Sequence, residues 1–98
     1  MTTYDFMIAA KNAVIERNFE CGINYSIEDI SIVWQSYILG NHKAILIDHG
    51  ENNRLYEVTY NRDKDEMYLD EYEKTKNIAF GNKEINKFKS VIVHKSHE

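Results

Sequence analysis

The densest set of side chains that could do chemistry is the segment DKDEMYLDEYE, residues 63–73, with six acids, one lysine and two tyrosines. Two carboxylates that converge in a pocket can act as general acid and base. Here, however, the acids alternate with side chains that would point inward from a strand. A calcium loop needs regularly spaced acids and a glycine, and this segment has no glycine. Its acids are Asp63, Asp65, Glu66, Asp70, Glu71 and Glu73.

Two interpretations of this acidic segment stay open. Charged side chains at the edge of a sheet oppose strand-to-strand aggregation, which would give the segment a protective role. Alternatively, the carboxylates form a surface that binds a basic partner. Such a surface could imitate nucleic-acid phosphates and occupy a nucleic-acid-binding protein. All six acids are therefore candidate contacts for a partner.

Histidine and cysteine offer little for metal binding or nucleophilic catalysis. His94 and His97 lie in a polar tail where no predicted element makes them converge on a metal. His42 and His49 fall at opposite ends of one predicted strand, so one ion cannot bind both within a chain. Cys21 would need an activating base to be a nucleophile, and we interpret it as a structural thiol. We expect no enzyme activity, no cofactor and no metal.

Charge is distributed unevenly along the chain. Residues 1–73 carry fourteen acids and six bases, a net charge of −8, whereas residues 74–98 carry six bases and two acids, a net charge of +4. The basic tail either folds back on the acidic body or meets a partner. Direct nucleic-acid binding would depend on tail lysines, and about four phosphate contacts give only weak, salt-sensitive affinity. Those lysines are Lys83, Lys87, Lys89 and Lys95.

Length and composition limit the class of protein. A chain of 98 residues suits one domain with one core. Its longest apolar runs are far below the ~20 residues of a membrane helix, and its N-terminus lacks the pattern of a signal peptide. A single cysteine excludes an internal disulfide and suits a reducing compartment. We expect a cytoplasmic protein that does not contact a membrane.

Two helices are predicted. Residues 3–19 have apolar side chains on one side and acids on the other, with Thr2 or Thr3 as the cap and Gly22 near the end. Residues 25–31 match a capping box but are too short for more than one turn. Residues 70–80 predict a short second helix, because acids at its start and lysines near its end suit the helix dipole.

Four strands are predicted between these helices. Residues 31–39 and 42–48 form a hairpin around Gly40-Asn41, a dipeptide typical of two-residue turns with positive φ. Strands at residues 55–60 and 66–69 complete a meander. The loop lengths predict that Trp34 pairs with Ile47 and that Ile47 pairs with Tyr56. Side-chain alternation then places one apolar set under the first helix. That set is Ile32, Trp34, Ile38, Ile45, Ile47, Tyr56, Val58, Tyr60, Met67 and Leu69.

The opposite face of the predicted sheet is too apolar for a plainly solvated surface. It carries Val33, Gln35, Tyr37, Leu39, Ala44, Leu46, Glu57, Thr59 and Tyr68. Three explanations stay open: the segment 91–93 folds across it, it forms a homodimer interface, or a foreign protein docks there. Tyrosines are enriched at such interfaces. We take Tyr37, Leu46 and Tyr68 as candidate contacts on this face.

The predicted fold is therefore α+β. An N-terminal amphipathic helix packs on an antiparallel meander of three to four strands, followed by a short second helix. Residues 1–80 form a single domain, and residues 81–98 form a basic C-terminal tail or an added edge strand, for which the run SVIVH has the right character.

Several short motifs resemble a family of small proteins of unknown function encoded by phages and prophages of low-GC Gram-positive bacteria. They are Val33-Trp34, NHKA at 41–44, YEVTYN at 56–61 and YLD at 68–70, and the resemblance covers roughly residues 3–76. It implies a viral or mobile-element origin. We expect a protein that binds a host or mobile-element protein, such as a defence factor or regulator, and modulates or inhibits it without catalysis. The alternative is a nucleic-acid-associated regulator or an acidic DNA mimic.

Overall fold

The computed structural model describes residues 1–50 and 54–90. Four consecutive antiparallel strands form one sheet in the order β1-β2-β3-β4, and this confirms the predicted α+β class. One helix precedes the sheet and a second follows it. The elements are α1 Thr3–Glu20, a 3-10 turn Ile27–Asp29, β1 Ile30–Ile38, β2 Asn41–Asp48, β3 Leu55–Asn61, β4 Glu66–Tyr72 and α2 Asn82–Ser90.

Helix α1 begins at the predicted cap. The Thr2 hydroxyl accepts a hydrogen bond from the Asp5 amide at 3.0 Å, and the Asp5 carboxylate accepts one from the Thr2 amide at 3.3 Å. This reciprocal box satisfies two backbone donors that the first turn leaves open. The helix ends before Gly22, whose φ is 85°. Its buried side chains are spaced four apart, on one stripe: Phe6, Ala10, Val14 and Asn18.

The β1–β2 hairpin turns one residue earlier than predicted. Ile38 pairs with Asn41, so the two turn residues are Leu39 and Gly40. Their φ angles are 53° and 86°, the positive values that a primed two-residue turn requires. The prediction that Gly40-Asn41 forms the turn is wrong. This shift moves the register by two residues, so Trp34 faces Ile45 and not the predicted partner, Ile47.

Leu39→Asn is expected to stabilise the protein by about 0.5–1 kcal/mol, because asparagine accepts a left-handed backbone more readily than leucine. Leu39 is 81% exposed, so little packing is lost. The control is Gly40→Ala, which must destabilise: its added Cβ would clash with the Arg62 side chain, and its φ is positive. Urea unfolding measures both. No gain from asparagine would contradict strain at Leu39.

A β-bulge changes which face each residue of β1 occupies. Ile32 pairs with Leu46 and Trp34 with Ile45, so Val33 is the extra residue. Because a bulge resets the alternation, Ile32 packs against the core under α1, whereas Trp34 points to the other side of the sheet. The prediction that Trp34 lies beneath α1 is therefore wrong.

The pairing of β2 with β3 also differs from the prediction by one residue. Tyr56 pairs with Leu46, not with Ile47. A slip of one residue exchanges the two faces of a strand, so Ala44 and Leu46 lie in the core, and Ile45 and Ile47 do not. The predicted placement of these four residues is wrong. The core consists of Phe6, Ala10, Val14, Ile30, Ala44, Leu46, Tyr56, Val58 and Tyr60.

The second helix lies later in the chain than predicted. Strand β4 continues to Tyr72, which pairs with Leu55, and residues 73–81 are neither helix nor strand. The prediction of a helix at residues 70–80 is therefore wrong. Helix α2 occupies part of the predicted tail, and the predicted strand at 90–94 falls mainly on residues outside the described ranges. Neither helix in the described part of the chain has the length and apolar character to cross a membrane.

Candidate functional site

The side of the sheet turned away from α1, called the open face here, carries large apolar side chains on all four strands. Ile38 is 66% exposed, Trp34 48% and Tyr72 47%, while Ile45 and Ile47 are half-buried among their neighbours. Pairing places them in rows across the sheet. The apolar set of the open face is Trp34, Ile38, Ile45, Ile47, Leu55, Tyr68 and Tyr72.

The open face also carries a few charged groups in defined positions. Near its centre, Lys43 Nζ lies 3.4 Å from Glu57 Oε1. Glu66 and Asp70 are exposed on the neighbouring edge strand β4. The Glu66 carboxylate accepts a hydrogen bond from the Tyr68 hydroxyl and thereby raises the pKa of Tyr68. The β4 side of the open face is therefore acidic, whereas its centre holds a neutral ion pair.

A shallow depression of about 280 Å³ opens on this face beside Trp34. It is smaller than the roughly 300–1,000 Å³ typical of pockets that enclose a small molecule. It is mostly apolar and open to solvent, which suits a single side chain presented by a partner. Its lining is Trp34, Ser36, Ile38, Asn41, His42, Lys43 and Thr59.

The acidic segment does not form one continuous surface. Asp65 accepts a hydrogen bond from the Tyr60 hydroxyl at 2.6 Å. Glu71 lies on the α1 side, 3.4 Å from Arg17 Nε and 3.3 Å from an Arg54 nitrogen. Glu73 also pairs with Arg54, at 3.1 Å. Three of the six candidate acids thus hold the chain itself together. Five of the six acids are exposed, all but Glu71, but Asp65, Glu66 and Glu73 are each engaged by a neighbouring side chain.

A comparison with known families matches residues 7–82 to the sequence model of a family of unknown function, DUF6275. The chain belongs to this family. The match spans nearly all of α1, the whole sheet and the connection to α2. No curated protein matches the chain, and no solved structure does. The function of this DUF6275 protein must therefore be inferred from its own residues.

The three apolar candidate contacts of this DUF6275 chain have different outcomes. Tyr68 lies on the open face, as predicted, and is 42% exposed. Leu46 is fully buried in the core, so its predicted place on an accessible face is wrong. Tyr37 pairs with His42 on the α1 side, not on the open face, and its ring lies 4.7 Å from that of His42. Sequence reasoning missed Trp34, because it placed that residue in the core.

A buried polar cluster joins the end of α1 to the sheet of this family member. The Tyr56 hydroxyl donates to Asp48 Oδ2 at 2.8 Å and accepts from Asn18 Nδ2 at 3.0 Å. Asn18 also donates to the Val14 carbonyl at 2.8 Å. Asp48 and Tyr56 are fully buried and Asn18 nearly so. Because no part of the cluster reaches solvent, it suits a structural role and cannot contact a substrate without unfolding.

The remaining chemically competent residues are dispersed. Ser31 Oγ lies 2.6 Å from His49 Nε2, the contact of a nucleophile and its base. Both are at the surface, and the described residues supply no third group bonded to the imidazole. Cys21 is exposed at the end of α1. No group of three histidine, cysteine or acidic residues that could hold a metal occurs within residues 1–50 and 54–90. His94, His97 and Lys95 lie outside those ranges.

Proposed function

We propose that the chain is a non-catalytic protein that binds another protein through the open face. The observation that carries this proposal is the apolar set of that face. Seven large apolar residues share one side of a sheet whose other side is already covered by α1. Contiguous exposed apolar surface with polar groups around it typically marks an interaction site in a soluble protein.

The composition of the open face suits a protein partner. Tryptophan and tyrosine carry much of the binding energy of protein interfaces, since they bury large areas at low entropic cost. Trp34, Tyr68 and Tyr72 supply such groups from both edges of the sheet. The exposed acids on β4 favour a partner with basic groups at the matching rim, because complementary charges raise the association rate and fix orientation.

The class of target that we propose follows from the proposed origin of the chain. Resemblance to phage and prophage proteins supports an origin in a virus or mobile element. Residues with AT-rich codons agree with that origin: phenylalanine, tyrosine, methionine, isoleucine, asparagine and lysine supply 45 of 98 residues. We infer that the target is a host or mobile-element protein in the cytoplasm, such as a defence factor or regulator. Binding would modulate or inhibit it by covering its surface.

Trp34→Ala is expected to weaken binding to the target at least about thirtyfold, the effect of losing a hot-spot side chain worth about 2 kcal/mol. The matched control is Tyr37→Ala. Tyr37 is on the same strand and similarly exposed, 58% against 48% for Trp34, but it lies on the α1 side. This control should change affinity by less than threefold.

The measurement starts with capture from host lysate by the tagged chain, followed by calorimetry on the purified target. Circular dichroism confirms that both variants are folded. Equal affinities of Trp34→Ala and the unaltered chain would contradict the proposal, because the open face would then contribute nothing to binding. An equal loss in the two variants would also contradict it.

A further inference from the structure

The described part of helix α2 is too short to be stable without a packing partner. It has nine residues, a length of about 13 Å, and isolated helices below about 12–15 residues are marginal in water. Every residue from Asn82 to Ser90 is nevertheless exposed. No element within residues 1–50 and 54–90 therefore buries a residue of α2, and a packing partner outside these residues would stabilise the helix.

One side of α2 is shaped for such packing. Ile85 and Phe88 are three residues apart and share a side of the helix, and they are 44% and 47% exposed. The Phe80 ring packs edge-to-face on Phe88, with centroids 5.1 Å apart, and so extends the apolar ridge. On the helix, Lys83 and Lys87 fall on the opposite side from Ile85.

The open face and α2 complement each other in polarity and charge. Each is an apolar surface that no described element covers. Of the three lysines on α2, Lys89 lies four residues after Ile85 and so flanks the ridge, whereas the β4 edge of the open face presents the acids Glu66 and Asp70. The depression beside Trp34 has room for one projecting side chain, and Phe88 is the largest apolar side chain on α2.

We propose that α2 of a second copy of this chain packs on the open face, with reciprocal exchange between the two copies. Within the described residues of one chain, no element covers α2 or the open face, and both surfaces stay exposed. Reciprocal exchange about a twofold axis covers the open face and α2 of each copy. The dimer then buries twice the area that one short helix could bury. This inference rests on the proposed function, because it takes the open face as a protein interface. The target then competes with α2 for that face.

The test is the mass of the full chain by sedimentation velocity across micromolar concentrations. The unaltered chain should be a dimer. Trp34→Asp, which disrupts the face, and Phe88→Asp, which disrupts the helix, should each dimerise at least about thirtyfold more weakly. Asn86→Asp adds the same charge to α2 away from the ridge, and it should remain dimeric. Circular dichroism verifies the fold of each variant.

Mixing the two disrupted variants distinguishes exchange from other arrangements. In the mixture, the intact α2 of Trp34→Asp can pack on the intact open face of Phe88→Asp. The mixed dimer should therefore form more tightly than a dimer of either variant alone. A monomeric unaltered chain would overturn the inference, as would failure of the mixture to associate. If Phe88→Asp stays dimeric while Trp34→Asp does not, the inference fails and the open face survives as an interface. If Trp34→Asp affects neither dimerisation nor target binding, the proposed function itself fails.

Discussion

Leu46→Asp is expected to unfold the protein, whereas Ile47→Asp, one residue along the same strand, is expected to leave it folded. Leu46 is fully buried in the core under α1. An aspartate there places a carboxylate without a partner among apolar side chains, which costs more than about 4 kcal/mol. That is comparable to the whole stability of a small domain, about 5–15 kcal/mol. Ile47 is half-buried on the open face, where an aspartate stays hydrated.

Circular dichroism and the dispersion of amide proton resonances measure this contrast directly. Leu46→Ala and Ile47→Ala form a milder pair for urea unfolding: the first should cost about 2–5 kcal/mol, as for other core leucines, and the second much less. The reverse ranking would mean that β2 presents its other face to α1. Trp34 would then belong to the core, and the open face would not exist as a binding surface.

This contrast also shows where the sequence stops being informative. The start of α1 is predictable because the Thr2–Asp5 box is local and because the apolar stripe repeats every four residues. The approximate positions of the four strands also follow from their composition, although the first turn lies one residue earlier and β4 extends three residues further than predicted. Such signals involve residues close in the chain, and they need no knowledge of what packs where.

The faces of the sheet depend on pairings that the sequence does not mark. In β2, both alternating sets are apolar, with Ala44 and Leu46 on one side and Ile45 and Ile47 on the other. The residue types around Val33 do not reveal the bulge there. At the hairpin, asparagine tolerates positive φ better than leucine does, so local preference favours the wrong dipeptide. One residue of register then decides which set is core.

The second helix shows tertiary context overriding local preference. Acids followed by lysines at residues 70–76 suit a helix dipole, but Asp70, Glu71 and Tyr72 pair with β3 instead. Alternation in the strand then separates Glu71, which binds two arginines on the α1 side, from Asp70 on the open face. The candidate acidic surface could not be resolved into these two groups before the strand was known.

Tyr56→Phe is expected to destabilise the protein by about 2–3 kcal/mol at pH 7, because a buried carboxylate loses a hydrogen-bond donor. The Tyr56 hydroxyl donates to Asp48 at 2.8 Å. Without it, the Gly50 amide at 3.3 Å remains as a donor to that carboxylate. Ring packing in the core is unchanged, since phenylalanine keeps the same shape. Urea unfolding at pH 7 measures the loss, and a loss below about 0.5 kcal/mol would contradict this role for the hydroxyl.

The free energy of unfolding of Tyr56→Phe is also expected to depend differently on pH from that of the unaltered protein. Burial, together with the hydrogen bond and charge of Asp48, raises the pKa of Tyr56 from 10.0 to about 12. Above pH 10 the unfolded chain releases this proton first, so the unaltered protein loses about 3 kcal/mol of stability as the pH rises from 10 through 12. Tyr56→Phe has no such proton to lose. All other groups are common to both proteins, so their contributions cancel in the difference. The difference in free energy of unfolding should therefore shrink towards zero by pH 12, and parallel curves would show that Tyr56 ionises normally.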